Sequence, residues 1–195
     1  MIFDTAAPAF LPDTTHPNLQ PPVCRFEVIA HTRTGLVQSV ARTAPGVGPF
    51  LAAFAVIARG AVLETTHGQV AIEDVTPGDR IMTSSGRVEQ VNWRGSVTLD
   101  PGAMPEPLSL TRVPVDAYGP GRPATDTLFG PGAIRVHRAA SVCARLSAKA
   151  VLSPLAEFAD DGAMFPITPR AAVEFFQLGF ARQSGLLIGG VEVAS

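Results

Sequence analysis

The sequence predicts an all-β domain assembled from many short strands. Two observations carry that expectation. Glycine and proline contribute 18 residues each to a chain of 195, a density that interrupts long helices and marks frequent turns. Between those breaks, short runs rich in β-branched and aromatic side chains recur at close spacing. Charged residues make up only 16% and apolar residues 46%, so the chain has enough apolar surface to fold. Its length suits one sizeable domain better than two.

The elements follow in order. Residues 1–22 are proline-rich, with small apolar patches, and read as an arm. Residues 24–32 alternate polar and apolar positions, the pattern of a half-exposed strand, and residues 36–41 can return as a hairpin beyond Gly35. Residues 50–58 form a continuous apolar run that is either a buried strand or a short helix; periodicity alone does not choose. Short strands are expected at 62–65, 70–75 and 81–83. They are separated by turns at His67-Gly68 and Pro77-Gly78-Asp79, with Ser84-Ser85-Gly86 following. Residues 88–97 alternate through Val91 and Trp93. After a loop at 101–107, further strands are expected at 108–115, 128–129 and 134–136, the last two flanking Gly130-Pro131-Gly132. Residues 146–152 suggest another strand and 154–159 a single helical turn. Residues 173–180 alternate around Phe175 and Phe176. Residues 186–188 and 191–193 straddle Gly189-Gly190 as a closing hairpin.

Composition narrows the function classes. The formal net charge is −2, and the 15 basic residues, all arginine except Lys149, are scattered. That gives no electrostatic footprint for nucleic acid or an anionic membrane. The longest uncharged stretch, residues 43–58, spans 16 residues and contains glycines and prolines, too short for a membrane-spanning helix. The N-terminus has neither a basic segment nor an apolar core of the secretory type, so the expectation is a cytoplasmic protein or one exported by a non-classical route. Cys24 and Cys143 are far apart and read as free, buried thiols. His16, His31 and His67 lack metal-ligand spacing, and no cofactor is implied.

One stretch carries more information than the rest. Glu73, Asp74 and Asp79 place three carboxylates within seven residues, a grouping open to acid–base or cation chemistry. The turn Pro77-Gly78-Asp79 favours a plainer reading. Asp79 accepts hydrogen bonds from its own turn, while Glu73 or Asp74 faces solvent or pairs with Arg80. Trp93, the sole tryptophan, reads as a core residue of its strand.

The string from Ala58 to Thr83 resembles the opening of the Hint (Hedgehog/intein) domain family in its bacterial form. The matching residues are Gly60, Thr65, Gly68, Glu73-Asp74-Val75, Pro77-Gly78-Asp79 and Thr83. Val91-Asn92-Trp93 looks like the next family strand. Gly121-Arg122-Pro123 and Gly130-Pro131 look like the approach to the family's histidine block. Residues 175–193 resemble its last strands. The resemblance implies a Hint-like horseshoe of short strands over residues 50–195, preceded by an arm and hairpin at 1–49. It also implies chemistry in which a Cys or Ser at the first position attacks the preceding carbonyl. A Thr and His in the second block polarise the scissile amide and protonate its nitrogen.

The residues depart from that chemistry. The nucleophile position is Val56, the histidine position is Ala133, and the C-terminus lacks a His-Asn pair. His137 is the remaining catalytic candidate, as a shifted block histidine. Gly60, Glu73, Asp74, Gly78, Asp79 and Trp93 are structural motif residues. Three functional readings follow: a degenerate Hint-like scaffold or interaction module without self-splicing or autoproteolysis; an active autoprocessing domain using Ser84, Cys24 or Cys143; and a surface-associated binding module. A protein partner is compatible with the first and third.

Overall fold

In the computed structural model, the first alternating stretch forms β1 (Val23–His31), which pairs antiparallel with β2 (Val37–Pro45) across its whole length. The described residues are 21–32, 34–159 and 162–195. Most of the expected arm, residues 1–20, lies outside them.

The apolar run at 50–58 divides into two elements. Its first part belongs to a short helix, α1 (Gly48–Phe54), with proline in the first turn, where a missing N–H costs nothing. Its last two residues form β3 (Ile57–Ala58), buried on both faces. Next come β4 (Val62–Thr65) and β5 (Gly68–Ala71), joined at the His67-Gly68 turn. The strand expected over Glu73-Asp74-Val75 is instead a 3₁₀ turn, Ile72–Asp74. Its carbonyls find a side chain rather than a neighbouring strand: the Arg94 guanidinium donates to the carbonyl oxygens of Glu73 and Val75.

Residues 88–97 are not one strand. β6 (Arg80–Met82) pairs with β7 (Val88–Gln90) in a small sheet, whereas β8 (Trp93–Leu99) enters a different one. β8 buries one face through Gly95, Val97 and Leu99, whereas none of the three residues of β7 is fully buried. β9 (Leu110–Val113), β10 (Thr127–Phe129) and β11 (Ile134–His137) fall where strands were expected. A short helix not foreseen, α2 (Ala140–Arg145), follows. The strand expected at 146–152 is displaced to β12 (Val151–Pro154), where it pairs with β11. A 3₁₀ turn, Leu155–Phe158, supplies the expected helical turn. β13 (Phe165–Ile167) was not foreseen, being short and centred on Pro166. β14 (Val173–Gly179), β15 (Gly185–Ile188) and β16 (Val191–Ala194) complete the chain.

The fold is all-β, in three sheets. The largest has the order β13-β9-β10-β3-β14-β8-β1-β2; the others are β12-β11-β16-β15 and β5-β4-β6-β7. The expected boundary at residue 49/50 falls between strands of one continuous sheet, since β1 pairs with β8 from Phe26↔Val97 to Ala30↔Trp93. One core, containing Val56, Leu63, Ile81, Phe129, Ala133, Phe176 and Val193, draws on all three sheets. A second core, containing Cys24, Phe26, Val97 and Phe175, lies on the other side of the large sheet beneath α1. There Phe54 meets Phe26 edge-on at 5.1 Å, a favourable aromatic geometry.

Candidate functional site

Val56 sits at the junction between α1 and β3. β3 occupies the middle of the large sheet, between β10 and β14. Its pairing Phe129↔Ile57 brings residues 130–133 alongside Ala55 and Val56. Gly130 N–H donates to the Val56 carbonyl and Gly132 N–H to the Ala55 carbonyl, both at 2.9 Å. Ala133 and Val56 share the inner core and are almost completely shielded from water.

The two glycines make that approach possible. A Cβ on Gly132 would stand 2.5 Å from the Ala52 carbonyl oxygen, and one on Gly130 would press still harder on that of Ala55. A backbone donor, the Gly132 N–H, is therefore aimed at the Ala55 carbonyl, which precedes Val56. At the two positions where the Hint resemblance places a nucleophile and an imidazole, the chain carries the buried residues Val56 and Ala133. Neither can attack a carbonyl or carry a proton.

The remaining candidates lie in other settings. His137, on β11 four residues beyond Ala133, is half-buried and stacks on Phe158 at 5.6 Å. Arg135 covers the same ring at 4.4 Å. Cys24 is buried, and burial pushes its thiol pKa up, away from the reactive thiolate. Cys143 was expected to be buried too, but it is only half-buried, on the short helix α2. A six-residue helix lacks the length to bury every face.

Ser84 donates to Glu192 Oε1 at 2.6 Å, and Arg138 binds the same carboxylate through Nε and Nη2 at 2.9 and 2.8 Å. The Arg138 hydrogen bond holds Glu192 below the usual carboxylate range, against burial and with help from Ser84. A carboxylate so held is a weak base for activating Ser84.

The carboxylate-rich loop has a structural assignment. Asp79 accepts from Thr76 N–H at 2.7 Å and from Thr76 Oγ1 at 3.2 Å, as its turn chemistry predicts. Gly78 has φ of +103°, the left-handed region. Glu73 does not pair with Arg80. It accepts from Gly60 N–H at 2.9 Å and from Arg59, which also binds Glu174 at 2.9 Å. Burial pushes the Glu73 carboxyl up, but the Gly60 amide and Arg59 outweigh it and leave it below its ordinary range. Among the described residues, no group of three or more His, Cys, Asp or Glu could hold a metal ion.

Trp93 is half-buried rather than a core residue. Its indole lies over β8 and β14 against Gly95 and Gly179. Sequence reasoning missed three contributors: the Gly132 donor, the Arg94 brace and the Arg59 clamp. Only the two glycines flanking Pro131 signalled the first. The arginines carried no signal, because their partners lie on other elements.

A family model described as "Hint domain" matches residues 55–195. No curated protein matches. Among solved structures, the chain is similar to the solution structure of a bacterial intein-like domain from Clostridium thermocellum. That similarity has 11% identity and a TM-score of 0.48, and covers 71% of this chain and 96% of that one. Among the described residues, no helix is long and apolar enough to cross a membrane.

Proposed function

The chain belongs to the Hint domain family, and on that premise we propose that it is a catalytically silent member that keeps the fold as a scaffold or interaction module. The observation that carries this reading is that Val56 and Ala133 are both buried in one core, while Gly132 N–H donates to the Ala55 carbonyl that precedes Val56. The electrophile and its backbone donor remain, while the atoms that would attack and protonate are replaced by methyl groups. Without a nucleophile there is no covalent intermediate to divide the reaction into easier steps. Fold and activity are separable, and packing has taken over this site.

The motif residues support a structural role. Gly60 and Glu73 tie the start of β4 to the 3₁₀ turn, and Gly78 and Asp79 close the next turn. His137, engaged with Phe158, takes no catalytic part in this reading. The experiment is intact-mass analysis of the full chain during prolonged incubation with a thiol or hydroxylamine. One unchanged species is expected. Cleavage at the Ala55–Val56 bond, or anywhere dependent on Ser84, Cys24 or Cys143, would replace this reading with that of an active autoprocessing domain.

A further inference from the structure

The region matched to the Hint family begins at residue 55, yet the large sheet already includes β1 and β2, which precede it. β1 is an inner strand. It pairs with β2 on one side and with β8 on the other, from Phe26↔Val97 to Ala30↔Trp93. In the second core, Cys24, Phe26 and Ala55 are buried with Val97, Leu99, Leu110 and Phe175, and Leu51 and Phe54 of α1 pack against them. Without the segment before Val56, β8 would be an open edge and those four apolar side chains would lose their cover, two features that soluble sheets avoid.

The fit extends to single atoms. Three glycines beyond residue 55 stand where a residue before it comes close. A Cβ on Gly95 would lie 2.7 Å from the Phe54 ring, one on Gly132 2.5 Å from the Ala52 carbonyl oxygen, and one on Gly78 3.2 Å from His31 Nε2. The three lie apart in the fold: on β8, in the loop between β10 and β11, and in the Pro77-Gly78-Asp79 turn, against which the end of β1 rests. Close packing at separate places is the mark of a surface shaped to one occupant.

We infer that the segment before Val56 is the built-in partner of residues 56–195, held by the β8 edge and the second core tightly enough to stay bound after the chain between them is severed. The partner this surface fits is an extended strand with its hairpin mate, followed by a short apolar helix. Main-chain pairing along β8 supplies the ladder, and the buried side chains supply the selectivity. A cut near Val56, by whatever route, therefore nicks the molecule and does not divide it. The inference takes from the family assignment only where the two parts meet, and it holds whether or not the Val56 site is silent.

The test uses the full chain with the recognition sequence of a specific protease inserted between Arg59 and Gly60, which are exposed in a turn, a setting that tolerates insertion. After cutting, denaturing electrophoresis should show two fragments, while the native protein should elute as one particle with the mass of the uncut chain. The first fragment then carries β3 as well, so Phe54→Ala isolates the share of the second core. It should speed fragment release after dilution at least tenfold, read by native mass spectrometry. Leu36→Ala, at an exposed position beside the hairpin turn, should leave the release rate unchanged. Fragments that separate on the column, or a release rate indifferent to Phe54→Ala, would overturn the proposal. Hydrogen exchange of the unaltered chain tests it without an insertion. The β1 amides should be as protected as those of β8 and β14, because strands of one cooperative unit open together; much faster exchange in β1 would also overturn it. The cut comes from an added protease, so none of these outcomes depends on self-cleavage, which intact mass reads separately.

Discussion

Gly132 and Ala55 are joined by a backbone hydrogen bond of 2.9 Å, and that bond aims a donor at the carbonyl preceding Val56. The two residues are 77 positions apart in sequence, brought together by the pairing of β3 with β10. In the proposed silent reading, this carbonyl is the group a nucleophile at residue 56 would have attacked.

If that carbonyl is still an electrophile, restoring a nucleophile should restore some chemistry. Val56→Cys is near-isosteric and should fold. The variant is expected to yield two fragments on incubation with hydroxylamine, at a low rate, while the wild type stays intact. Adding Ala133→His should raise the rate but cost about 1–3 kcal/mol of stability, because the position is closely packed. Intact mass reads the cleavage and denaturant unfolding the stability. Fragments from neither variant would mean that Ala55 is not held in a reactive geometry.

Gly132→Ala tests the close approach itself. Its Cβ would stand 2.5 Å from the Ala52 carbonyl oxygen, where backbone must move. A loss of about 1–3 kcal/mol, the usual range for overpacking, is expected in urea unfolding. Gly86→Ala, at an exposed turn with open space around it, should cost less, through its positive φ alone.

The turn at residues 76–79 separates strain from charge. Gly78→Val places a β-branched residue at φ +103° and should destabilise by roughly 1–3 kcal/mol. Asp79→Asn keeps an oxygen able to accept from Thr76 N–H and should cost less. The opposite order of melting temperatures would make the loop a charge-dependent site.

Glu192 gives a pH signature. Its carboxyl is held below its ordinary range in the folded chain, chiefly by Arg138. A depressed folded pKa contributes stability above the unfolded value of about 4.3, which is lost as pH falls through the folded pKa. Arg138 is 52% exposed, so solvent screening limits the contribution to about 1 kcal/mol. Glu192→Gln should destabilise by that amount at pH 7. The gap from wild type should close below the carboxylate range, as read from unfolding curves across pH.

The thiols should label at different rates. Cys24 is buried with a raised pKa, so an aqueous thiol reagent should modify it only on unfolding. Cys143 is half-buried and should react in the native state. Equal native rates would contradict the packing of β1 beneath α1.

What the sequence determined by itself was local chemistry. Turn residues impose their own geometry, so Gly78 at positive φ and Asp79 bonded to Thr76 could be read before any fold was known, as could the closing hairpin around Gly189-Gly190. The same spacing of turns and short strands carried the all-β class and the family. Tertiary structure decided everything that depends on a distant partner. The run at 50–58 became helix and then strand because only Ile57 and Ala58 lie between β10 and β14. Residues 88–97 divided because two sheets claimed them. Glu73 took Arg59 and Gly60 rather than Arg80, and Arg94 from a distant strand supplied donors to the carbonyls of Glu73 and Val75. A side chain's rotamers and a turn's φ are set within a few residues, whereas strand partners and buried ion pairs are chosen by which segments meet across the core.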